Sequence, residues 1–258
     1  MDSKSAPVNA RTTVLAGRAV LITGAARRIG AAMARGFHAH GADVCIHCHQ
    51  SIGEAEQLRD ELNGLRARSA VIVAADLLDR AALPGIVAAA VSEFRRLDVL
   101  INSASSFYPT PLGEVSHSQW DDLMGTNLRA PFFLAQAAAP HLRATQGSIV
   151  NMIDIHGQRP LSRHPVYSAA KAGLAMLTRA LARELGPEVR VNGIAPGPIL
   201  WPEHAMDAQL QDEIVAKTLL KRGGSPEDVV RAALFFVEDA PYVTGQILAV
   251  DGGRSVGW

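Results

Sequence analysis

Short apolar runs alternate with longer segments of helical period along nearly the whole chain, and this alternation most narrows what it can fold into. The runs are Arg18 to Thr23, Ala42 to His47, Ser69 to Ala74, Asp98 to Asn102, Gly147 to Ile153, Val189 to Ile194 and Gln246 to Val250. Between them, Ile29 to His40, Gly53 to Leu65, Leu83 to Arg95, Ser116 to Leu142 and Tyr167 to Leu185 read as helices. Such alternation specifies strand–helix–strand crossovers, whose strands run parallel. Ala19-Val-Leu-Ile22 and Val99-Leu-Ile101 are apolar at every position, so helices are expected on both sheet faces. The expected fold is α/β, a doubly wound parallel sheet of about seven strands.

No linker-like shift in composition, repeat or low-complexity tract breaks the series. One domain is therefore expected over residues 17–258, preceded by a flexible arm over residues 1–16. The arm is polar and mixed, without the apolar centre of a secretory signal, and no apolar run approaches the roughly 20 residues that span a bilayer. A cytoplasmic protein is the expectation. Lys plus Arg and Asp plus Glu both number 25, which removes an electrostatic reason to expect nucleic acid or an anionic membrane as partner. The two cysteines, Cys45 and Cys48, have the spacing of a redox or zinc pair. On a strand, positions three apart face opposite ways, so they are expected to be unrelated thiols, and no metal site is expected.

The first strand ends in Thr23-Gly-Ala-Ala-Arg-Arg-Ile-Gly30 and runs straight into a helix. Glycines there let backbone approach a pyrophosphate, which rests on the amides of the positive helix end. In this setting the turn points to a Rossmann-type dinucleotide site. An acidic residue near the end of strand two would select NAD through the ribose hydroxyls. Here His47, Cys48, His49, Gln50 and Ser51 supply no carboxylate, and Arg27 and Arg28 add positive charge. NADPH is the expected cofactor. Asp76-Leu77, after strand three, either meets the adenine edge or caps the next turn.

Tyr167-Ser-Ala-Ala-Lys171 lies on a strong helix pattern, so phenol and ammonium share one face. The ammonium is expected to lower the tyrosine pKa toward a value useful for proton transfer. The pair follows strand five, thirteen residues beyond Asp154.

With these residues the chain resembles the short-chain dehydrogenases/reductases over essentially its whole length. Thr23-Gly24 with Gly30, Asp76, Asn102-Ser-Ala104, Asn127, Tyr167 with Lys171, and Pro196-Gly197 carry the resemblance. It implies a catalytic set in which Asn127, Tyr167 and Lys171 match and Asp154 stands where serine is usual. It implies NADPH contacts from Gly24, Arg27, Arg28, Ile29, Gly30, His47, His49, Gln50, Ser51, Asp76 and Leu77. Further contacts fall on Asn102, Ser103, Ala104, Ser105, Met152, Tyr167, Lys171, Pro196, Gly197 and Ile199. Within the family, the first turn, Ser105-Ser-Phe-Tyr-Pro-Thr-Pro-Leu112 and Asn151-Met-Ile-Asp154 resemble the pteridine reductases. Ile194-Ala-Pro-Gly-Pro-Ile-Leu-Trp-Pro-Glu203 is similar to the bacterial dihydromonapterin reductases. Where Ser103 sits, asparagine is more usual; where Gln50 sits, some relatives have arginine.

A pterin is flat and must lie parallel to the nicotinamide, so Phe107 is expected to supply the second face of a sandwich. Its alternative is an ordinary core aromatic. The resemblance implies that Arg28 and Ser105 bond the pterin edge, with Asp154, Tyr167 and Trp201 completing the substrate site. Reduction of C=N needs a proton at ring nitrogen, which Asp154 can relay beside Tyr167. His156 and His164 are expected near the substrate mouth, and Met206 to Leu220 as a covering helix. The last residues resemble the family's subunit contact, which implies a homotetramer. The expected function is NADPH-dependent reduction of dihydrobiopterin, dihydromonapterin or dihydrofolate, and of oxidised pterins. A short-chain carbonyl or alcohol oxidoreductase and a non-catalytic NADP(H)-sensing protein are the alternatives.

Overall fold

A computed structural model of the chain describes residues 14–201 and 207–257. Seven parallel strands form one sheet in the order β3-β2-β1-β4-β5-β6-β7. They are β1 (Ala19–Ile22), β2 (Asp43–Cys48), β3 (Ala70–Ala74), β4 (Val99–Asn102), β5 (Ser148–Met152), β6 (Arg190–Pro196) and β7 (Ile247–Val250). The helices are α1 (Arg28–Ala39), α2 (Ile52–Leu65), α3 (Leu83–Phe94), α4 (His117–Met124), α5 (Ala130–Thr145), α6 (Pro165–Leu185), α7 (Ala208–Ala216) and α8 (Pro226–Leu234). β1 lies between β2 and β4, so the winding direction changes there and a crevice opens beyond the carboxyl ends of those strands.

The central strands β1, β4 and β5 are buried on both faces, as the apolar runs of β1 and β4 require. In β1, Val20 and Ile22 join a core with Met33 and Phe37 of α1, Leu58 and Leu62 of α2, and Val229 and Ala233 of α8. Leu21 points the other way, into a core with Ile86 of α3, Leu134 of α5 and Leu181 of α6. The same pleat separates the cysteines: Cys45 lies in the second core and Cys48 in the first. Both thiols are free, and burial pushes Cys45 up to about 12.

Three local readings change. The single helix expected over Ser116 to Leu142 is α4, a π-helical turn at Gly125–Arg129, then α5. Pro131 has no N–H to offer the Asn127 carbonyl, and the Ala130 N–H reaches back to the Gly125 carbonyl instead. Leu15 is fully buried and its N–H donates to the His40 carbonyl at 2.9 Å, so packing begins before residue 17. Residues 1–13 of the expected arm lie outside the described residues. The covering helix is shorter than expected: Asp207 caps α7, which has no buried residue, and Met206 lies outside the described residues. Among the described residues, no helix is long and apolar enough to cross a membrane.

Candidate active site

The first turn is built for close backbone approach. Gly24 has a φ of +63°, and a Cβ there would come within 2.8 Å of the Ala104 Cα. A Cβ on Gly30 would meet the Gly24 carbonyl oxygen at 2.1 Å. Thr23 Oγ1 accepts from the N–H groups of Ser103 and Ala104, at 2.9 and 3.1 Å, and so joins this turn to the loop after β4. α1 begins at Arg27 without a side-chain cap and without an acidic residue in its first turn. By contrast, Ser116 and Ser225 cap α4 and α8. An uncapped helix start above two glycines that exclude side chains fits a dinucleotide pyrophosphate.

A cleft of about 610 Å3 runs over this turn. It is lined by Gly24 and Arg27 to Gly30, by His47 to Ser51, by Asp76 and Leu77, and by Ser103 to Ser106. Most of the residues expected to hold the cofactor are thus brought together. Of the alternatives for Asp76, the capping one is seen: its Oδ1 accepts from the Leu78 N–H at 2.9 Å, and the residue also lines the cleft. His49 Nε2 stands 4.0 Å from Asp76, and Arg27 stands 3.8 Å from Glu54, so the Arg27 charge at this end of the cleft is partly balanced.

Two expected cofactor contacts differ. His47 is buried, accepts from the Gly24 N–H at Nδ1 (3.2 Å) and meets the Ala75 carbonyl through Nε2 (3.1 Å). With Nδ1 accepting, the proton sits on Nε2, and burial lowers the pKa to about 4. His47 is therefore a neutral clamp on the turn rather than a phosphate donor. Asn102 also turns inward, bonding Asn151 at 2.8 Å in a buried chain that ends on Thr178 of α6. That chain struts β4 and β5 against the catalytic helix.

The residues expected to be catalytic gather at the carboxyl end of β5. Asp154, in extended backbone, caps a 3-10 turn at Ile155–Gly157 through Oδ1, which accepts from the His156 N–H at 2.8 Å. Its Oδ2 accepts from the Tyr167 hydroxyl at 2.8 Å. Lys171 is fully enclosed one helical turn on, donating to the Met152 carbonyl at 2.9 Å, with Nζ 5.6 Å from the Tyr167 ring centre. Burial lowers Lys171 to about 8, with the Asp154 charge opposing. Tyr167 departs from expectation. Burial, the Asp154 charge and the hydrogen bond to that carboxylate hold the phenol well above 10, and a bond with Ser105 works against them. In this arrangement Tyr167 is a neutral donor to Asp154.

The π-helical turn presents Asn127, which is fully buried. Its amide donates to the carbonyls of Ser106 (3.0 Å) and Leu123 (2.9 Å), and its Oδ1 accepts from Ser105 Oγ at 2.7 Å. Phe107 is 49% exposed, which removes the reading of a core aromatic. It stacks on His164 at 4.8 Å and 10°, and meets Tyr167 edge-on at 4.8 Å and 76°. Arg28, at φ +56°, donates to the carbonyls of Leu200 and Trp201 at 3.3 and 3.1 Å. It thereby ties the first turn to the segment after β6, where Pro196, Gly197 and Ile199 lie, and brings the Trp201 backbone to the first turn. The sequence carries no sign of the hydrogen bonds that gather on Asp122, and it places His164 near the substrate mouth without showing its stacking on Phe107. The only signal for His164 was its place three residues before Tyr167.

Known proteins cover the chain almost end to end. A family model described as enoyl-(acyl carrier protein) reductase matches residues 24–255. Pteridine reductase 1 of Leishmania tarentolae is 38% identical over 92% of this chain and 96% of its own length. Gluconate 5-dehydrogenase of Gluconobacter oxydans is 34% identical over 94% of this chain and 96% of its own. A 3-oxoacyl-[acyl-carrier-protein] reductase of Staphylococcus aureus is 31% identical over 92% and 97%. With the parallel seven-stranded sheet and the glycine turn, these matches show that the chain belongs to the short-chain dehydrogenase/reductase family of oxidoreductases.

Proposed function

We propose that the chain is an NADPH-dependent pteridine reductase that reduces a C=N bond of a dihydropterin to the tetrahydro form. The observation that carries this reading is the Asp154 carboxylate, fixed by the His156 N–H on one oxygen and bonded to the Tyr167 hydroxyl at 2.8 Å on the other. A ketone reductase has no need of a carboxylate there, because a hydroxyl suffices to hold a carbonyl oxygen. Protonation of a ring nitrogen is different, since the donor's proton must be replaced along an acid–base relay. The exposed Phe107 ring beside Tyr167 suits a flat heteroaromatic substrate, and the Leishmania relative is named for this chemistry.

Bound NADPH would supply hydride to the carbon of the C=N bond. Tyr167 would deliver its hydroxyl proton to the adjacent nitrogen; Asp154, a carboxylate that accepts from Tyr167, then takes up a proton from solvent and returns it to the tyrosinate. Lys171 places positive charge beneath the phenol as the proton leaves, and is the residue that would hold the nicotinamide ribose. Asn127 holds the Ser105 hydroxyl and the Ser106 carbonyl at the site. NADPH over NADH is supported by the absence of a carboxylate among Cys48, His49, Gln50 and Ser51 along the cleft. Asp154→Ala should lower pterin turnover by about a hundredfold or more, with NADPH affinity little changed; an unaltered rate removes Asp154 from the mechanism. The second reading is a carbonyl or alcohol oxidoreductase. The gluconate and oxoacyl relatives favour it, matching nearly the same share of the chain.

A further inference from the structure

The loop after β4 is fixed by alternate residues. Ser106 and Tyr108 are half-buried, while Ser105, Phe107 and Pro109 are exposed, the period of extended backbone. Both inward residues end on one carboxylate of α4. Tyr108 donates its hydroxyl to Asp122 Oδ2 at 2.7 Å, and Ser106 donates to Oδ1 at 3.0 Å. Thr126 adds a third donor to Oδ1 at 3.3 Å. Desolvation first, then the bond to Asp122 and its charge, push the Tyr108 phenol up to about 12, so it remains a donor over the working range. Further along, the Thr110 N–H donates to the Arg163 carbonyl at 2.6 Å and closes the loop onto the segment before α6. Phe107 is left between two anchored neighbours, facing the opposite way, with one side against His164.

We propose that Asp122 is a positioning residue for substrate recognition. By holding Ser106 and Tyr108 on its two oxygens it fixes the ring of Phe107, and so makes a rigid platform selective for flat heteroaromatic substrates. This rests on the pterin reading. A loop pinned on both sides of its reading residue loses little freedom when a ring stacks on it, so the affinity of the stack is retained. His164 stacks on one side of Phe107 and Tyr167 meets the ring edge-on, and a flat substrate would use the part of the ring that remains exposed.

The test is a double-mutant cycle of Asp122→Ala and Phe107→Ala, read as KM and kcat for dihydropterin, with NADPH affinity and thermal unfolding measured on each variant. Asp122→Ala alone should raise pterin KM about tenfold with kcat within about threefold, the signature of lost uniform binding. In the Phe107→Ala background the same change should have almost no further effect on KM, because the residue it positions is gone. Tyr108→Phe, which keeps the ring and removes one anchor, should show a smaller KM rise and serves if Asp122→Ala does not fold. Equal KM effects in the two backgrounds mean general damage and overturn the proposal, as does an unchanged KM in both Asp122→Ala and Tyr108→Phe. Absence of pterin turnover by the unaltered protein overturns the underlying reading, and the proposal with it.

Discussion

Asp154 divides its carboxylate between backbone and side chain: one oxygen caps the start of a 3-10 turn and the other accepts from the Tyr167 hydroxyl. A serine hydroxyl would present a single oxygen that carries its own proton, whereas the carboxylate presents two separate acceptor oxygens, one for the backbone and one for the tyrosine. Lys171 adds a pH dependence whose sign follows from burial. Its ammonium is lost as pH rises through about 8, because desolvation lowers its pKa to there. The pterin kcat/KM should therefore fall above about pH 8, and Lys171→Met should lower the rate at all pH values and flatten that limb. A profile unchanged in Lys171→Met assigns the limb to another group. Gly30 is a second single-residue constraint. A methyl there would overlap the Gly24 carbonyl, so Gly30→Ala should cost about 1–3 kcal/mol of stability and remove detectable NADPH binding, checked by denaturant unfolding and fluorescence titration.

Between elements, the recurring device is a side chain that ties one strand end to the next. Thr23 joins β1 to the loop after β4, His47 joins β2 to the first turn and to the end of β3, and Asn102 joins β4 through Asn151 to α6. Because both His47 nitrogens are engaged in a buried site, His47→Ala should lower stability by about 1–3 kcal/mol, and weaken NADPH binding through the turn rather than through a lost phosphate contact. These ties also mark where sequence stops being informative. The strands were readable to within two residues, because every-position hydrophobicity is forced by a sheet covered on both sides. The tyrosine–lysine pair was readable because helical spacing fixes its face. The inward turn of His47 was not: alternation places it on a face but does not say whether the ring reaches solvent or a neighbouring amide. The π-helical turn at Gly125–Arg129 left only Pro131 as a signal, within a segment of otherwise helix-compatible residues. Helix α8 was not singled out, although Ser225 and Asp228 form a capping box with Pro226 behind the cap. The Asp122 anchor depends on residues of two elements that only the fold brings together.

For the molecule as a whole, the winding reversal between β1 and β4 decides where chemistry can occur, since it places the glycine turn, the Phe107 loop and Tyr167 around one crevice. Ligand in that crevice should stabilise the folded state by mass action. At about a hundredfold excess over Kd this is about 2.7 kcal/mol, or a rise of roughly 5–10 °C in Tm for a chain of this size. NADPH should give a larger shift than NADH at equal concentration, measured by thermal unfolding; equal shifts would remove the argument from His49, Gln50 and Ser51. The central claim concerns what receives the hydride. The direct measurement is NADPH consumption by the purified protein with dihydrobiopterin, dihydromonapterin, dihydrofolate and a panel of simple ketones. The account predicts turnover of one or more of the pterins and none of the ketones. Turnover of ketones alone would contradict it, and would make Asp154 and Phe107 features of a carbonyl reductase.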